Sequence, residues 1–184
     1  MNNKLLIFLL IFSFALGYVV YEAIKLDSKF SKSSVVQTGS VLKNYPANLQ
    51  FYDQKTGKIF DLYQVMLQGN HLVIHFWATW CAPCEVEFPE LVKLIQLVQH
   101  NKALRFALIS VDDDKAEVLK FLSKYSLPKE SVLLLTDEGK EYRRMGTYKM
   151  PETYLFDPKA RLIRRYSGRQ AWAKKEFVKY FQSL

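Results

Sequence analysis

The chain reads Trp80-Cys81-Ala82-Pro83-Cys84 just after a hydrophobic stretch, and this motif holds both of its cysteines. The apolar run Leu72–Trp77 lies before the motif and predicts a buried strand. The amphipathic run Glu85–Gln99 follows the motif and predicts a helix. A Cys-x-x-Cys motif between a strand and a helix places its first sulfur at the helix N-terminus, where free N–H groups and the helix dipole favour the thiolate. The second sulfur lies one turn later and can close a disulfide with the first, so the motif predicts a reversible redox switch.

Other uses of a cysteine pair fit this chain less well. A zinc site needs about four ligands, and besides the cysteines only His71, His75 and His100 offer histidine ligands. Covalent haem attachment requires a histidine directly after the second cysteine, and Glu85 stands there. A structural disulfide between cysteines this close in sequence would restrain almost no chain. We therefore expect neither a bound metal nor a cofactor.

The rest of the hydrophobic pattern predicts an α/β fold. The order of elements is βαβ, then α, then a β-hairpin, then α, which is typical of a central sheet covered by helices. The further predicted elements are a short helix capped by Asp61, strands Leu104–Val111 and Val132–Leu135, helices from Asp112 to about Tyr125 and from Glu138 to Met145, hairpins Leu49–Phe60 and Thr153–Tyr166, and a final helix Trp172–Phe181.

Two parts of the chain resemble the thioredoxin superfamily. Phe76–Cys84 is similar to its active-site segment, and the continuation Glu85–Leu91 is similar to the membrane-anchored, TlpA/ResA-like branch. Lys149–Asp157 resembles the cis-proline loop and following strand of that branch, and the similarity runs from about Pro46 to the C-terminus. The resemblance implies a thioredoxin-like sandwich, a central mixed sheet flanked by helices, with an N-terminal β-hairpin extension and a central βα insertion. It also implies a cis bond between Met150 and Pro151.

The two cysteines and a glutamate are the expected catalytic residues. Cys81 is the expected nucleophile, whose thiolate attacks a disulfide in a client protein and forms a mixed disulfide. Cys84 would then resolve that intermediate, leaving the pair oxidised and the client reduced. Glu87 shares a helix face with Cys84, and the resemblance also implies a glutamate at this place, so we expect it to take the proton of Cys84. In the alternative interpretation Glu87 only complements the helix dipole.

Four further residues are expected to contact the substrate: Trp80, Pro83, Met150 and Pro151. A cis bond before Pro151 would expose the backbone of Met150 as an edge on which a client peptide can pair. A structural role remains the alternative for Trp80. His75 departs from cytoplasmic thioredoxins, which have a buried aspartate at this strand position. We expect His75 to be a hydrogen-bonded core residue, with proton transfer as the alternative.

The N-terminal region predicts a membrane anchor. Leu5–Tyr21 is a nearly unbroken apolar stretch, at the short end of what spans a bilayer. Residues 1–24 are therefore expected to form an uncleaved anchor in contact with the lipid bilayer, and a cleaved signal peptide is the alternative. Residues 25–45 are expected to be a flexible linker, and residues 46–184 the thioredoxin-like domain. The expected location is the bacterial cytoplasmic membrane, single-pass, with the catalytic domain extracytoplasmic or periplasmic.

The chain is basic, with a net charge of +8. Four arginines, Arg161, Arg164, Arg165 and Arg169, cluster in and after the predicted second hairpin. No known nucleic-acid motif accompanies them, so we expect a solvated face and no nucleic-acid partner.

The predicted function is that of an extracytoplasmic disulfide reductase supplied with electrons by a membrane thiol donor. In such families the clients include apocytochrome c, during cytochrome c maturation, and copper-site proteins. The Ala-Pro pair between the cysteines resembles reducing members more than the Pro-His of strong oxidants. A disulfide-donating oxidase or isomerase is one alternative, and a non-enzymatic copper(I)-binding module is another.

Overall fold

The computed structural model describes residues 12–18, 20, 21 and 44–184. Residues 12–18, 20 and 21 are helical, and the remainder of the predicted anchor and nearly all of the predicted linker lie outside the described residues. None of the helices in the described residues combines the length and the apolar character that a membrane crossing requires.

Residues 44–184 form a mixed seven-stranded sheet with helices on both of its faces. The strand order is β2-β1-β5-β4-β3-β6-β7; β3, β4 and β5 are parallel, and every other neighbouring pair is antiparallel. The elements are β1 (Phe51–Asp53), β2 (Ile59–Phe60), α1 (Leu62–Leu67), β3 (His71–Trp77), α2 (Ala82–Val98), β4 (Leu104–Ser110), α3 (Lys115–Leu122), β5 (Val132–Thr136), a 3₁₀ turn (Glu141–Arg143), β6 (Glu152–Phe156), β7 (Leu162–Ser167) and α4 (Lys175–Gln182).

The predicted α/β sandwich with an N-terminal hairpin is confirmed, and every predicted strand is present. The predicted helix from Glu138 to Met145 is wrong, because only a 3₁₀ turn forms there. The carboxylate of Asp137 accepts the backbone N–H groups of Glu141 and Tyr142, both at 2.7 Å. These bonds occupy donors at the start of the turn, and Gly146 follows with a positive φ of 80° that ends it.

The sheet buries a hydrophobic cluster on each face. Side chains alternate along β3, so that Val73 and Trp77 pack with α2, α3 and α4, whereas Ile74 and Phe76 pack with α1. His75 lies on the same face as Val73 and Trp77, beneath α2. Trp77, the last residue of the predicted buried strand, lies in the core and is 1% exposed.

The register between β3 and β6 places the two predicted site segments side by side. Phe76 pairs with Glu152 and the strands are antiparallel. The end of β3, which continues into the cysteine motif, therefore lies beside the start of β6, which follows Met150 and Pro151. Segments about 70 residues apart in the sequence meet at one edge of the sheet in this way.

The prediction of a solvated arginine face is wrong for Arg165. Its Nε lies 2.8 Å from Oε1 of Glu152, a side chain that is 1% exposed, and its Nη2 donates to the carbonyl of Gly146 at 2.6 Å. The Arg164 guanidinium lies 4.6 Å from the ring centroid of Tyr180. A residue on an outer strand can be buried when a loop covers it, and periodicity along a single strand does not reveal that cover.

Candidate active site

Cys81 and Cys84 form a disulfide at the N-terminus of α2. Cys81 is the N-cap residue, and the backbone N–H of Cys84 donates to its Sγ at 3.3 Å. Pro83 lies in the first turn, where backbone N–H groups have no acceptor within the helix, so proline loses no hydrogen bond there. Cys81 is 6% exposed, whereas Cys84 is fully buried. An incoming sulfur can therefore reach Cys81 far more easily than Cys84.

Exposed apolar side chains surround the disulfide. Trp80 is 70% exposed, and Ala82, Pro83 and Val86 are exposed as well. Val86 is not among the site residues predicted from the sequence, although its position one turn after Ala82 on the helix could have indicated it. Solvent-exposed apolar surface next to a reactive group is typical of a docking surface for a protein client.

The loop before β6 packs against the same centre. The Met150–Pro151 peptide bond is cis, as predicted. Met150 is partly buried and packs against the hydrophobic cluster that contains both cysteines. Pro151 is buried, and its carbonyl accepts the N–H of Gly168 at 2.9 Å. Met150 is therefore the more exposed of these two residues.

Glu87 is a buried carboxylate on α2, one turn after Cys84, and its side chain is 0% exposed. Oε2 accepts the backbone N–H of Gln170 at 2.8 Å, and Oε1 accepts the indole N–H of Trp172. Burial raises the pKa of Glu87 to about 7, although these two hydrogen bonds and the charge of Arg169 act in the opposite direction. A carboxyl group that changes charge near neutral pH is suited to proton transfer.

The final helix begins three residues later than predicted, because Trp172 lies in a turn before it. Its indole turns inward to Glu87, and α4 begins only at Lys175. No feature of the local sequence indicates that Trp172 and Gln170 are the donors to Glu87.

His75 is a fully buried residue with one hydrogen bond, as the core interpretation predicted. Its Nδ1 lies 2.8 Å from Oγ1 of Thr153, and burial lowers the pKa of the imidazole to about 3. The same Nδ1 lies 3.9 Å from Oε1 of Glu87. The imidazole is therefore neutral at physiological pH and adjoins the candidate proton acceptor.

Asp112 holds the loop that leads into Cys81. Its carboxylate accepts the backbone N–H of Thr79 at 3.0 and 3.1 Å, and also the Thr79 hydroxyl. Ser110 donates to the same carboxylate at 2.6 Å. The predicted helix from Asp112 starts too early, because α3 begins at Lys115 with Asp114 as its N-cap. Asp112 therefore positions the loop that precedes Cys81.

We expect Asp112→Ala to lower the free energy of unfolding by about 1–3 kcal/mol, because the backbone N–H of Thr79 loses a charged acceptor. Urea unfolding of the oxidised chain, followed by circular dichroism, measures this change. The matched control is Asp113→Ala, which removes the same charge from the adjacent exposed position and should change stability by less than about 0.5 kcal/mol. Equal losses in the two variants would contradict the assignment.

The fold and the geometry of the site together define the class of protein to which the chain belongs. A mixed sheet with a disulfide at the N-terminus of the helix after a central parallel strand, facing a cis-proline loop, is the arrangement of thioredoxin-like thiol–disulfide oxidoreductases. The family model named Redoxin matches residues 34–180, and the chain belongs to that family.

The chain is also similar to several proteins named as thiol–disulfide oxidoreductases or interchange proteins. The chain is 25% identical over 186 residues to the thiol-disulfide oxidoreductase ResA of Bacillus cereus, across 100% of this chain and 98% of the relative. It is 33% identical over 107 residues to the thiol:disulfide interchange protein DsbE of Pseudomonas fluorescens, across 58% of this chain and 57% of the relative. A thiol-disulfide oxidoreductase structure from Bacteroides fragilis shares the fold, with a TM-score of 0.61 and 21% identity, across 75% of this chain and 98% of that one. The predicted TlpA/ResA-like membership of the thioredoxin superfamily is confirmed, and with it the prediction of a disulfide oxidoreductase.

Proposed function

We propose that this protein is an extracytoplasmic thiol–disulfide oxidoreductase that reduces disulfides in client proteins. The observation that carries this proposal is the unequal exposure of the two sulfurs. Cys81 is accessible at the helix N-terminus, Cys84 is fully buried behind it, and buried Glu87 follows one turn later. This arrangement suits one attacking sulfur, one resolving sulfur and one proton acceptor.

The reaction follows from these positions. The Cys81 thiolate attacks a client disulfide, a bond forms between Cys81 and the client, and one client sulfur leaves as a thiolate. Cys84 then gives its proton to Glu87 and attacks the Sγ of Cys81. The bond between Cys81 and the client breaks, the second client sulfur leaves with the electron pair, and Cys81–Cys84 is oxidised. Each cycle transfers two electrons to the client, so a thiol donor must reduce the pair again.

The exposed surface around Cys81 supports a protein client. Trp80, Pro83 and the loop at Met150 and Pro151 are proposed as its contacts, because they lie around the reactive sulfur or pack against its cluster. The backbone before a cis proline offers an edge on which an extended client peptide can pair. Apocytochrome c and copper-site proteins are the client classes that we propose, by resemblance to the TlpA/ResA-like oxidoreductases.

The proposed domain organisation rests on the sequence. Residues 1–24 would anchor the chain in the cytoplasmic membrane, residues 25–45 would link the anchor to the domain, and residues 46–184 would operate outside the cytoplasm. The apolar run Leu5–Tyr21 supports the anchor. A membrane protein with exposed thiols would then be the electron donor on the same side.

The reduction potential of the Cys81–Cys84 pair tests the direction of the reaction. The full chain in detergent is equilibrated in defined thiol buffers, and the reduced fraction is read from alkylated mass. We expect a value near that of thioredoxin, roughly −270 mV or lower. A value near that of the strong oxidants, roughly −120 mV, would make the protein a disulfide donor and contradict the proposal.

A further inference from the structure

The imidazole of His75 lies close to the carboxylate of Glu87 and uses only one of its two ring nitrogens in hydrogen bonding within the part of the chain that the structure describes. Both side chains are buried, and Nδ1 of His75 lies 3.9 Å from Oε1 of Glu87. The ring makes one hydrogen bond, from Nδ1 to Oγ1 of Thr153. Its Nε2 is buried and has no partner among the described residues.

The unpartnered nitrogen assigns the ring proton. If Nε2 carried the proton, a buried donor would lack an acceptor, and orphaned buried N–H groups are rarer than orphaned acceptors. If Nδ1 carries it, only a lone pair is unpaired. We therefore assign the proton to Nδ1. There the N–H donates to the hydroxyl oxygen of Thr153. Nδ1 lies 3.9 Å from Oε1 of Glu87, too far for a hydrogen bond but close enough for the N–H dipole to act on the carboxylate.

The other charges that act on Glu87 come from two elements. On α2, Glu90 disfavours the carboxylate, and on the segment between β7 and α4, Arg169 favours it. Thr153 on β6 is uncharged, and His75 is the titratable group of β3 that lies beneath the carboxylate. The Nδ1–H of His75 is thus a polar group of the sheet that lies close to Glu87.

Building on the proposed role of Glu87, we propose that His75 is a positioning residue whose Nδ1–H stabilises the charged form of that carboxylate. In the resolving step Cys84 loses its proton to Glu87, and the resulting thiolate attacks Cys81 while the bond to the client breaks. The imidazole keeps its own proton throughout. Its effect is to keep Glu87 able to accept a proton near neutral pH.

Stepwise thiol release from the full chain measures this effect. Reduced protein in detergent is mixed with 5,5′-dithiobis(2-nitrobenzoate); the first thiolate release marks the mixed disulfide on Cys81, and the second marks the attack by Cys84. The rate of the second release should rise with pH, with a midpoint near 7, because burial raises the pKa of Glu87 to about 7. In Glu87→Gln this step should disappear, leaving only the rise at roughly pH 8–9 where the thiol itself ionises.

Removing the imidazole should move the midpoint. We expect His75→Leu to raise it by about one pH unit and to lower the rate at pH 7 about fivefold, with the rate at high pH unchanged, because a buried carboxylate loses the nearby positive end of the imidazole N–H dipole. His75→Asn retains an N–H donor and should recover part of the shift. The matched control is Thr153→Val, which disturbs the same contact but leaves the imidazole, and should not raise the midpoint.

The ¹³C resonance of the Glu87 carboxyl in the oxidised chain reports the same midpoint without turnover, so that a slow variant still tests the inference. An unchanged midpoint in both His75 variants, together with loss of the step in Glu87→Gln, would overturn the inference and leave the proposed function intact. An additional effect of His75→Leu in the Glu87→Gln background would also overturn it. If the rise near pH 7 persists in Glu87→Gln, or if the unsubstituted protein shows no second thiol release, the proposed function is contradicted instead.

Discussion

Replacing Cys81 by serine is expected to reduce disulfide exchange by roughly 10³-fold or more, because a serine hydroxyl is not a nucleophile toward sulfur at neutral pH. Cys84→Ser should behave differently. Its Cys81 still attacks, and no second sulfur resolves the product, so mixed disulfides should accumulate. The structural reason is the difference in access, since Cys81 is 6% exposed and Cys84 is fully buried.

The measurement uses the reduced full chain in detergent with glutathione disulfide. Turnover is followed as reduced glutathione, and the mixed disulfide as one added glutathione in the intact mass. Cys84→Ser should be converted almost completely to this adduct, and Cys81→Ser should show little of it. Equal adduct formation by both variants would show that the sulfurs do not have separate roles.

Arg165→Met is expected to lower the free energy of unfolding by about 3–5 kcal/mol at pH 7. The carboxylate of Glu152 is 1% exposed and pairs with Arg165 at 2.8 Å. Its other described donor is the hydroxyl of Tyr154 at 3.2 Å. Removing the guanidinium therefore leaves a buried charge without a counter-ion. The Gly146 carbonyl, in the loop before Met150, loses its donor in the same variant.

Two further variants distinguish this pair from charge removal in general. Arg161→Met removes a guanidinium from the same hairpin that is 63% exposed and pairs with Asp157, so its cost should be about 0–1 kcal/mol. Arg165→Met combined with Glu152→Leu removes both charges and should recover much of the lost stability. Urea unfolding measures all three variants. A loss in Arg165→Met no larger than that in Arg161→Met would mean that the pair contributes little.

Much of the site could be predicted because it is local in sequence. The strand, the cysteine motif and the helix are continuous from Leu72 to Val98, and each follows from a hydrophobic period or a helix-end preference. Glu87 could be placed on the face of Cys84 by counting along one helix. The loop at Pro151 is distant in sequence, and it was found through a resemblance rather than through a physical pattern.

The sequence by itself determined the order of elements, the dithiol at a helix N-terminus and the core position of His75, because hydrophobic periodicity and helix-end chemistry act over a few residues. Only the tertiary structure decided the partners of the buried polar groups. Gln170 and Trp172 reach Glu87 from 83 and 85 residues away, and Glu152 pairs with Arg165 across two strands. Burial and charge depend on neighbours that the fold brings together, and the neighbours of Glu87 come from a part of the chain far outside any window used to predict secondary structure.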